Sequence, residues 1–136
     1  MTKGKKQFLP LTSKDICRIY NLLYKEGLVS FPKNSSSEDR IDSLVSNING
    51  SNFGEKNYKS NAEKIVAYLY FLIKNHPFVD GNKRTAVLTF LVLSKMNGLD
   101  KNLEDYDLDA LAIFLEGLQE KNHQFVIKYI SEKIFF

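Results

Sequence analysis

One run of residues constrains the fold of this chain more than any other, because from Asn82 or Lys83 to Met96 it is apolar on almost every side. Threonine and valine within it favour a strand by propensity, but about fourteen residues is too long for an ordinary strand. Asn97-Gly98 follows as a helix stop. The run is also far too short and too interrupted to span a bilayer. It therefore predicts a buried central helix over residues 82–96.

Such a helix needs amphipathic partners, and the rest of the chain supplies them. Thr12-Ser13-Lys14-Asp15 and Ser60-Asn61-Ala62-Glu63 resemble capping boxes, and apolar residues at helical spacing follow both. The second of these helices must stop before Pro77, which places His76 at a helix exit. Asp105 or Asp107 can cap another helix, and Asn122 can cap the last.

Residues 30–59 have little periodicity, so we expect loop there, with a short helix at residues 38–45. The Asn49-Gly50 pair is a hairpin turn signal. The pattern as a whole predicts a mainly α domain of five or six helices around the buried central helix, with one small β-hairpin.

Length and composition bound the domain organisation. The 136 residues suit one domain, and 43% apolar with 26% charged residues is typical of a soluble globular protein. We predict a flexible basic N-terminal tail over residues 1–11 and a single domain over 12–136. The net charge of +3 is too diffuse to favour nucleic-acid binding. With no apolar leader or membrane span, a cytoplasmic location is expected.

The loop at residues 76–84, His-Pro-Phe-Val-Asp-Gly-Asn-Lys-Arg, carries the densest chemistry of the sequence. The helix that follows leaves its first N–H groups unpaired, so Gly81 and Asn82 open a natural anion site. Lys83 and Arg84 place cations in the first turn, where they oppose the helix dipole unless an anion is bound. Cations at a helix N-terminus are unfavourable for folding alone, so their presence here indicates an anion-binding function.

The same loop has candidates for catalysis and metal binding. His76 can act as a general base toward a hydroxyl, and Asp80 can hold Mg²⁺, which prefers one or two carboxylates plus phosphate oxygens. Pro77 and Phe78 are interpreted as structural, one fixing the backbone and one anchoring the loop in the core. Taken singly, His76 and Asp80 also suit a helix terminus and a turn. Together with the two cations, they favour phosphoryl or nucleotidyl transfer.

The loop resembles the signature of the Fic/Doc (Fido) family, roughly H-P-F-x-[D/E]-G-N-[G/K]-R, and matches eight of its nine positions. The resemblance covers residues from about 12 to 121. It implies a helical fold with a β-hairpin flap near residues 45–58. It also implies an ATP- and Mg²⁺-dependent transferase that moves a phosphate-containing group onto a Ser, Thr or Tyr hydroxyl of a target protein.

By position, the resemblance makes His76 the base and Asp80 the Mg²⁺ ligand. Gly81, Asn82 and Lys83 become the anion cradle, and Arg84 becomes a phosphate clamp. The flap would align the target as an added strand, and we expect its docking residues to be Asn49, Gly50 and Phe53.

Departures from the pattern decide between branches of the family. AMP-transferring members usually have Gly where Lys83 stands and a second Arg where this chain has Val87. The Asn-Lys-Arg sequence resembles the Doc branch, so protein phosphorylation is favoured. Gly81 is more typical of the Fic branch, so AMP transfer stays an alternative. A non-catalytic nucleotide- or protein-binding module is a further alternative.

No S/T-x-x-x-E-G/N inhibitory helix is found in the sequence, since Ala112 takes the Ser/Thr position before Glu116-Gly117. Any restraint is therefore expected from a separate antitoxin-like partner.

Overall fold

The computed structural model describes residues 6–136, which form a mainly helical fold with one small antiparallel hairpin. This confirms the predicted fold class. In chain order the elements are α1 (Ser13–Lys25), α2 (Ser37–Asn49), β1 (Ser51–Asn52), β2 (Glu55–Lys56), α3 (Asn61–Lys74), α4 (Asn82–Met96), a 3-10 turn (Leu103–Asp105), α5 (Leu108–Gly117) and α6 (His123–Phe135).

Side-chain caps start four of the helices at the positions that the sequence indicates. The Thr12 side chain accepts a hydrogen bond from the Asp15 N–H, and the Asp15 carboxylate accepts one from the Thr12 N–H. Ser60, Asp107 and Asn122 each accept a bond from the N–H three residues further on. Because each cap satisfies an otherwise unpaired donor, these residues fix where α1, α3, α5 and α6 begin.

The central helix of the fold is α3 rather than α4. Helix α3 packs against α2, α4, α5 and α6, whereas α4 packs against α1, α3 and α5. More than half of the residues of α4 are buried, as predicted, but Leu91 and Val92 on its outer side are more than a third exposed. No residue of α3 is exposed, so α3 is the more enclosed of the two helices. Neither α4 nor any other helix in these residues is long and apolar enough to cross a membrane.

Part of the predicted N-terminal tail is attached to the domain. The Leu9 backbone exchanges hydrogen bonds with the Asn97 side chain, and the Leu11 carbonyl accepts one from the buried Tyr68 hydroxyl. Leu11 itself belongs to the core. Residues 6–11 therefore pack as part of the domain, which corrects the predicted boundary at residue 12. Residues 1–5, with Lys3 and Lys5, lie outside the described residues.

The hairpin turn is four residues later than predicted. Helix α2 continues to Asn49, whose side-chain amide donates to the Val45 carbonyl and to the Tyr68 hydroxyl. Gly50 ends that helix, and the turn between β1 and β2 is made by Phe53 and Gly54, both with positive φ. The Asn49-Gly50 turn prediction is wrong because buried apolar residues at helical spacing extend α2 as far as Asn49.

Candidate active site

The loop between α3 and α4 lines an open cleft of about 460 Å³. Every polar residue to which the sequence assigns a chemical role lines this cleft. Leu28, Val79 and Glu116 complete the lining. The assigned residues are His76, Asp80, Gly81, Asn82, Lys83 and Arg84.

His76 occupies the exit of α3 in an unusual backbone conformation. Its φ is +45°, in the left-handed region that few residues other than glycine adopt. Pro77 follows at once, so the chain cannot continue as a helix. The His76 side chain is exposed, and its Nδ1 lies 3.4 Å from the Asn82 side-chain nitrogen. The ring is therefore held at the edge of the cleft and open to it.

Asn82 organises the loop from inside. Its Oδ1 accepts a hydrogen bond from the Phe78 N–H at 3.0 Å, and its Nδ2 donates to the Phe78 carbonyl at 2.9 Å. The residue is buried, and the loop backbone uses both ends of its amide. The Asn82 side chain therefore sets the shape of the loop, and we expect its backbone N–H to be its contribution to the predicted anion cradle.

Two further contacts clamp the loop to the protein. The Phe78 ring is buried and stacks on Tyr20 of α1, with centroids 3.9 Å apart and planes within 7°. The Pro77 carbonyl accepts a hydrogen bond from the Ser37 hydroxyl at the start of α2. Burial, and secondarily the charge of Asp80, raise the pKa of Tyr20, which stays a neutral donor to the Phe31 carbonyl. The loop is thus attached to α1 and α2 as well as to its own helices.

Gly81 is the N-cap residue of α4, directly before Asn82. Its φ is +77°, and it has no side chain that could cap the helix. A Cβ at this position would overlap Cγ1 of Val29 and lie 3.2 Å from Val29 Cβ. Glycine is therefore required here by backbone conformation and by the close approach of residue 29. Because no side-chain cap is present within residues 6–136, the first N–H groups of α4 start uncapped beside the cleft.

Lys83 is paired across the cleft. Its ammonium lies 3.0 and 3.1 Å from the two carboxylate oxygens of Glu116 at the end of α5. Both side chains are around 40% exposed, and an exposed ion pair of this kind contributes little to stability. This contact is not predictable from the sequence, because Glu116 is 33 positions from Lys83 and no local signal links the two.

The segment at residues 28–30 contacts the other two charged groups of the loop. One Arg84 nitrogen, Nη1, donates to the Leu28 carbonyl at 3.3 Å, and the Ser30 N–H donates to Asp80 Oδ2 at 3.2 Å. No local sequence pattern indicates either partner, since this stretch is irregular in composition and spacing. Arg84 and Asp80 are both exposed, so each keeps further hydrogen-bonding capacity on its cleft side.

Asp80 meets the requirement for a Mg²⁺ ligand only in combination with phosphate. Within residues 6–136 no group of three His, Cys, Asp or Glu residues could hold a metal. One exposed carboxylate beside an anion site nevertheless suits Mg²⁺, which keeps several waters and takes oxygens from a bound phosphate. Asp80 thus fits a metal that arrives with a nucleotide and does not fit a permanent protein-held ion.

No second cation follows Arg84 along the cleft side of α4. The position three residues later is Val87, which is buried. The cations of the cleft are therefore Lys83 and Arg84 in the first turn of α4.

A larger cavity, of about 770 Å³, lies beside the hairpin. Asn75 lines it, and its chain neighbour His76 lines the cleft. The lining includes Arg40, Lys121 and His123, six Asn or Gln side chains and no carboxylate. His123 Nδ1 lies 2.6 Å from the hydroxyl of the fully buried Tyr70, so this exposed histidine is attached to the core through one ring nitrogen.

Of the residues assigned to the flap, Phe53 alone lies at the hairpin tip. Its φ is +54° and its side chain is fully exposed, with no packing partner within the described chain that would explain an aromatic residue there. Asn49 ends α2 and contacts Tyr68 of α3, and Gly50 follows it, with its carbonyl accepting a hydrogen bond from the Asn57 N–H at the base of the hairpin.

The fold and the loop define a mainly α protein in which an exposed histidine faces a cationic helix N-terminus beside a small hairpin. The model of the Fic/DOC family matches residues 10–94, which is more than half of the chain. The chain belongs to the Fic/DOC family. No curated protein and no solved structure matches it. Family membership indicates a Fido-domain transferase or binding module.

Proposed function

We propose that this protein is an ATP- and Mg²⁺-dependent transferase that phosphorylates a hydroxyl side chain of a target protein. The observation that carries the proposal is the cleft at residues 76–84, which places an exposed histidine, a carboxylate and two cations around an uncapped helix N-terminus. Such a set has the parts for phosphoryl transfer, where positioning and charge neutralisation do most of the catalysis.

The residues of the cleft divide the work between them. The His76 ring accepts the proton of the attacking hydroxyl, while the hydroxyl oxygen bonds to the γ-phosphorus and the bond to the ADP oxygen breaks. The Gly81–Lys83 backbone and the Lys83 and Arg84 side chains bind the phosphate oxygens. Asp80 would hold Mg²⁺, which when bound neutralises charge on those oxygens.

The larger cavity offers room for the rest of a nucleotide or for the target segment. Its cations, amides and aromatic rings suit a ligand that combines anionic and planar parts, and its lining residue Asn75 directly precedes His76 of the cleft in the chain. The exposed Phe53 at the hairpin tip suits docking of the target chain beside it.

Transfer of the γ-phosphate is favoured over transfer of AMP because of the cation pattern. Lys83 and Arg84 place the positive charge of the cleft in the first turn of α4, because Val87, one turn further on, is apolar and buried. AMP transfer is the alternative within the same chemistry, and it uses the same base.

A non-catalytic nucleotide- or protein-binding module is the second candidate, and the Lys83–Glu116 ion pair restrains anion binding in either case. The Glu116 carboxylate already neutralises Lys83, so an incoming phosphate must displace it. A catalytic protein would be restrained by this pair as well, in addition to any antitoxin-like inhibitor acting in trans.

The deciding experiment incubates the protein with cell lysate, Mg²⁺ and ATP labelled at either the α or the γ phosphorus. Label retained on protein from γ alone supports phosphorylation, and label from α alone would replace it with AMP transfer. If neither label is retained while ATP still binds, the binding-module candidate is correct and the transferase proposal fails.

A lysine pair gives the matched control. Lys83→Met should weaken ATP binding and reduce transfer, whereas Lys95→Met, at an exposed lysine in the last turn of the same helix, should change neither. Equal effects of the two substitutions would show that general charge, and not the cleft, is responsible.

A further inference from the structure

A second surface, separate from the cleft, has the features of a protein-binding groove. Helix α5 packs on α3 and α4, helix α6 packs on α3, and the two leave between them a groove of about 400 Å³. Its floor is formed by the buried Val126 and Ile130, and its walls by Phe114 on α5 and by Phe125 and Tyr129 on α6. We call this surface the α5–α6 groove.

The walls of the α5–α6 groove are apolar and unusually open to solvent. Phe114, Phe125 and Tyr129 are each more than half exposed, and Phe125 and Tyr129 stack on each other one turn apart. Single exposed apolar residues are common, but three aromatic rings around one groove are typical of an interaction surface. Nothing in the cleft chemistry requires them.

Charge identifies the kind of partner. Residues 102–120 contain six carboxylates and no lysine or arginine. Asp107 lines one end of the groove and Glu120 the other. Lys133 is the single cation of the lining, and its ammonium lies over the Tyr129 ring. The groove therefore has apolar walls and an apolar floor, with a carboxylate near each end and one lysine among the described residues of its lining.

We propose that the α5–α6 groove binds an amphipathic helix of another protein whose apolar face is flanked by lysine or arginine. The ten residues of α5 extend over about 15 Å, enough for about three turns of a bound helix with anchors at i, i+3 or i+4, and i+7. A second copy of this chain is disfavoured, because a two-fold contact would bring the acidic 102–120 segments of the two copies near each other. An anionic membrane surface is disfavoured for the same reason.

The test uses a designed peptide and the absence of tryptophan from the chain. The probe is a helical peptide of about 14 residues with leucines at i, i+4 and i+7, one tryptophan beside them and lysines on both flanks. A second peptide keeps the apolar face and replaces every lysine by glutamate. Tryptophan fluorescence during titration with the intact protein reports binding without background from the protein.

The expected result is that the lysine peptide binds and the glutamate peptide binds at least about tenfold more weakly. The double variant Phe114→Ser, Tyr129→Ser should weaken binding by about tenfold or more, and Glu120→Lys by severalfold. Leu22→Ser is the matched control, since Leu22 and Phe114 are both 58% exposed. It should leave the affinity unchanged, and so should His76→Ala, because the groove does not use the cleft.

Three results would overturn the proposal. The first is that neither peptide binds, and the second is that both bind equally well. The third is that the wild-type protein forms a dimer which the Phe114, Tyr129 double variant abolishes, because the occupant would then be a second copy. If the double variant does not fold, Glu120→Lys and the comparison of the two peptides still decide the question.

Discussion

The Gly81→Ala substitution tests how the loop is built, because it adds a single methyl group at the start of α4. The backbone at this position has φ +77°, which costs a residue with a side chain about 1 kcal/mol. The new Cβ would also overlap Val29 Cγ1, which is buried and cannot move freely. Such overpacking costs about 1–3 kcal/mol.

The two terms sum to a destabilisation of about 2–4 kcal/mol. For a chain of this length that corresponds to a fall in melting temperature of roughly 4 °C per kcal/mol. The assay is thermal and urea unfolding of the wild type and the variant, monitored by circular dichroism. Val29→Ala in the Gly81→Ala background should recover part of the loss, because it removes the atom that Cβ meets.

Two other glycines separate the conformational term from the steric term. Gly27 has φ +76°, and a Cβ added there would meet no atom within 4 Å, so Gly27→Ala should show the conformational cost alone. Gly117 has neither feature, and Gly117→Ala should be close to neutral. If Gly81→Ala costs no more than Gly27→Ala, the close approach of Val29 does not constrain the loop and the reasoning is refuted.

Three further predictions concern the cleft and the first helix. Glu116→Gln should raise the affinity of the cleft for ATP by about two- to fivefold at low salt, since it frees Lys83 from an exposed ion pair; calorimetry showing unchanged or weaker binding would contradict this. Asn82→Ala should cost about 2–3 kcal/mol in urea unfolding, because two backbone groups of the loop lose their partner; a cost below about 0.5 kcal/mol would mean that the loop holds without it. The hydrogen bond from the Thr12 N–H holds the pKa of Asp15 in the folded protein below its ordinary value of 3.8. The ionised Asp15 carboxylate therefore stabilises the fold above pH 3.8, and this stabilisation is lost as the pH falls through the pKa of the folded state. Asp15→Asn should therefore be less stable than the wild type at neutral pH and equal to it in strong acid.

Local chemistry made much of the fold predictable from sequence. The cap at Thr12 and the caps at Ser60, Asp107 and Asn122 depend on residues within one helical turn, so their effect can be read without the tertiary structure. The approximate extent of α4 was predictable for the same reason.

What could not be predicted depended on contacts between distant parts of the chain. Whether α3 or α4 lies at the centre is decided by which neighbours cover each helix, and composition alone does not determine that. The turn signal at Asn49-Gly50 was overridden by the burial of α2 and by the contact of Asn49 with Tyr68. Tertiary packing outweighs local propensity in both cases.

The candidate site shows the same division. The types and spacing of His76, Asp80, Lys83 and Arg84 were sufficient to predict that they face one cleft, because the loop is short. The pairing of Lys83 with Glu116 was not predictable from spacing, since it joins residues far apart in the chain. The Asn82 side chain holds the loop backbone, and this role was not predicted because the residue was assigned to the anion cradle.

The most direct test of the proposed chemistry measures transfer of the γ-phosphate label to protein by the wild type and by His76→Ala, with and without added imidazole. If His76 accepts the hydroxyl proton, the substitution should lower transfer by at least about a hundredfold, and imidazole should restore part of it. ATP binding and the melting temperature should stay close to the wild-type values, since the His76 side chain is exposed. Transfer by His76→Ala at the wild-type rate would contradict the assignment of this residue and the mechanism built on it.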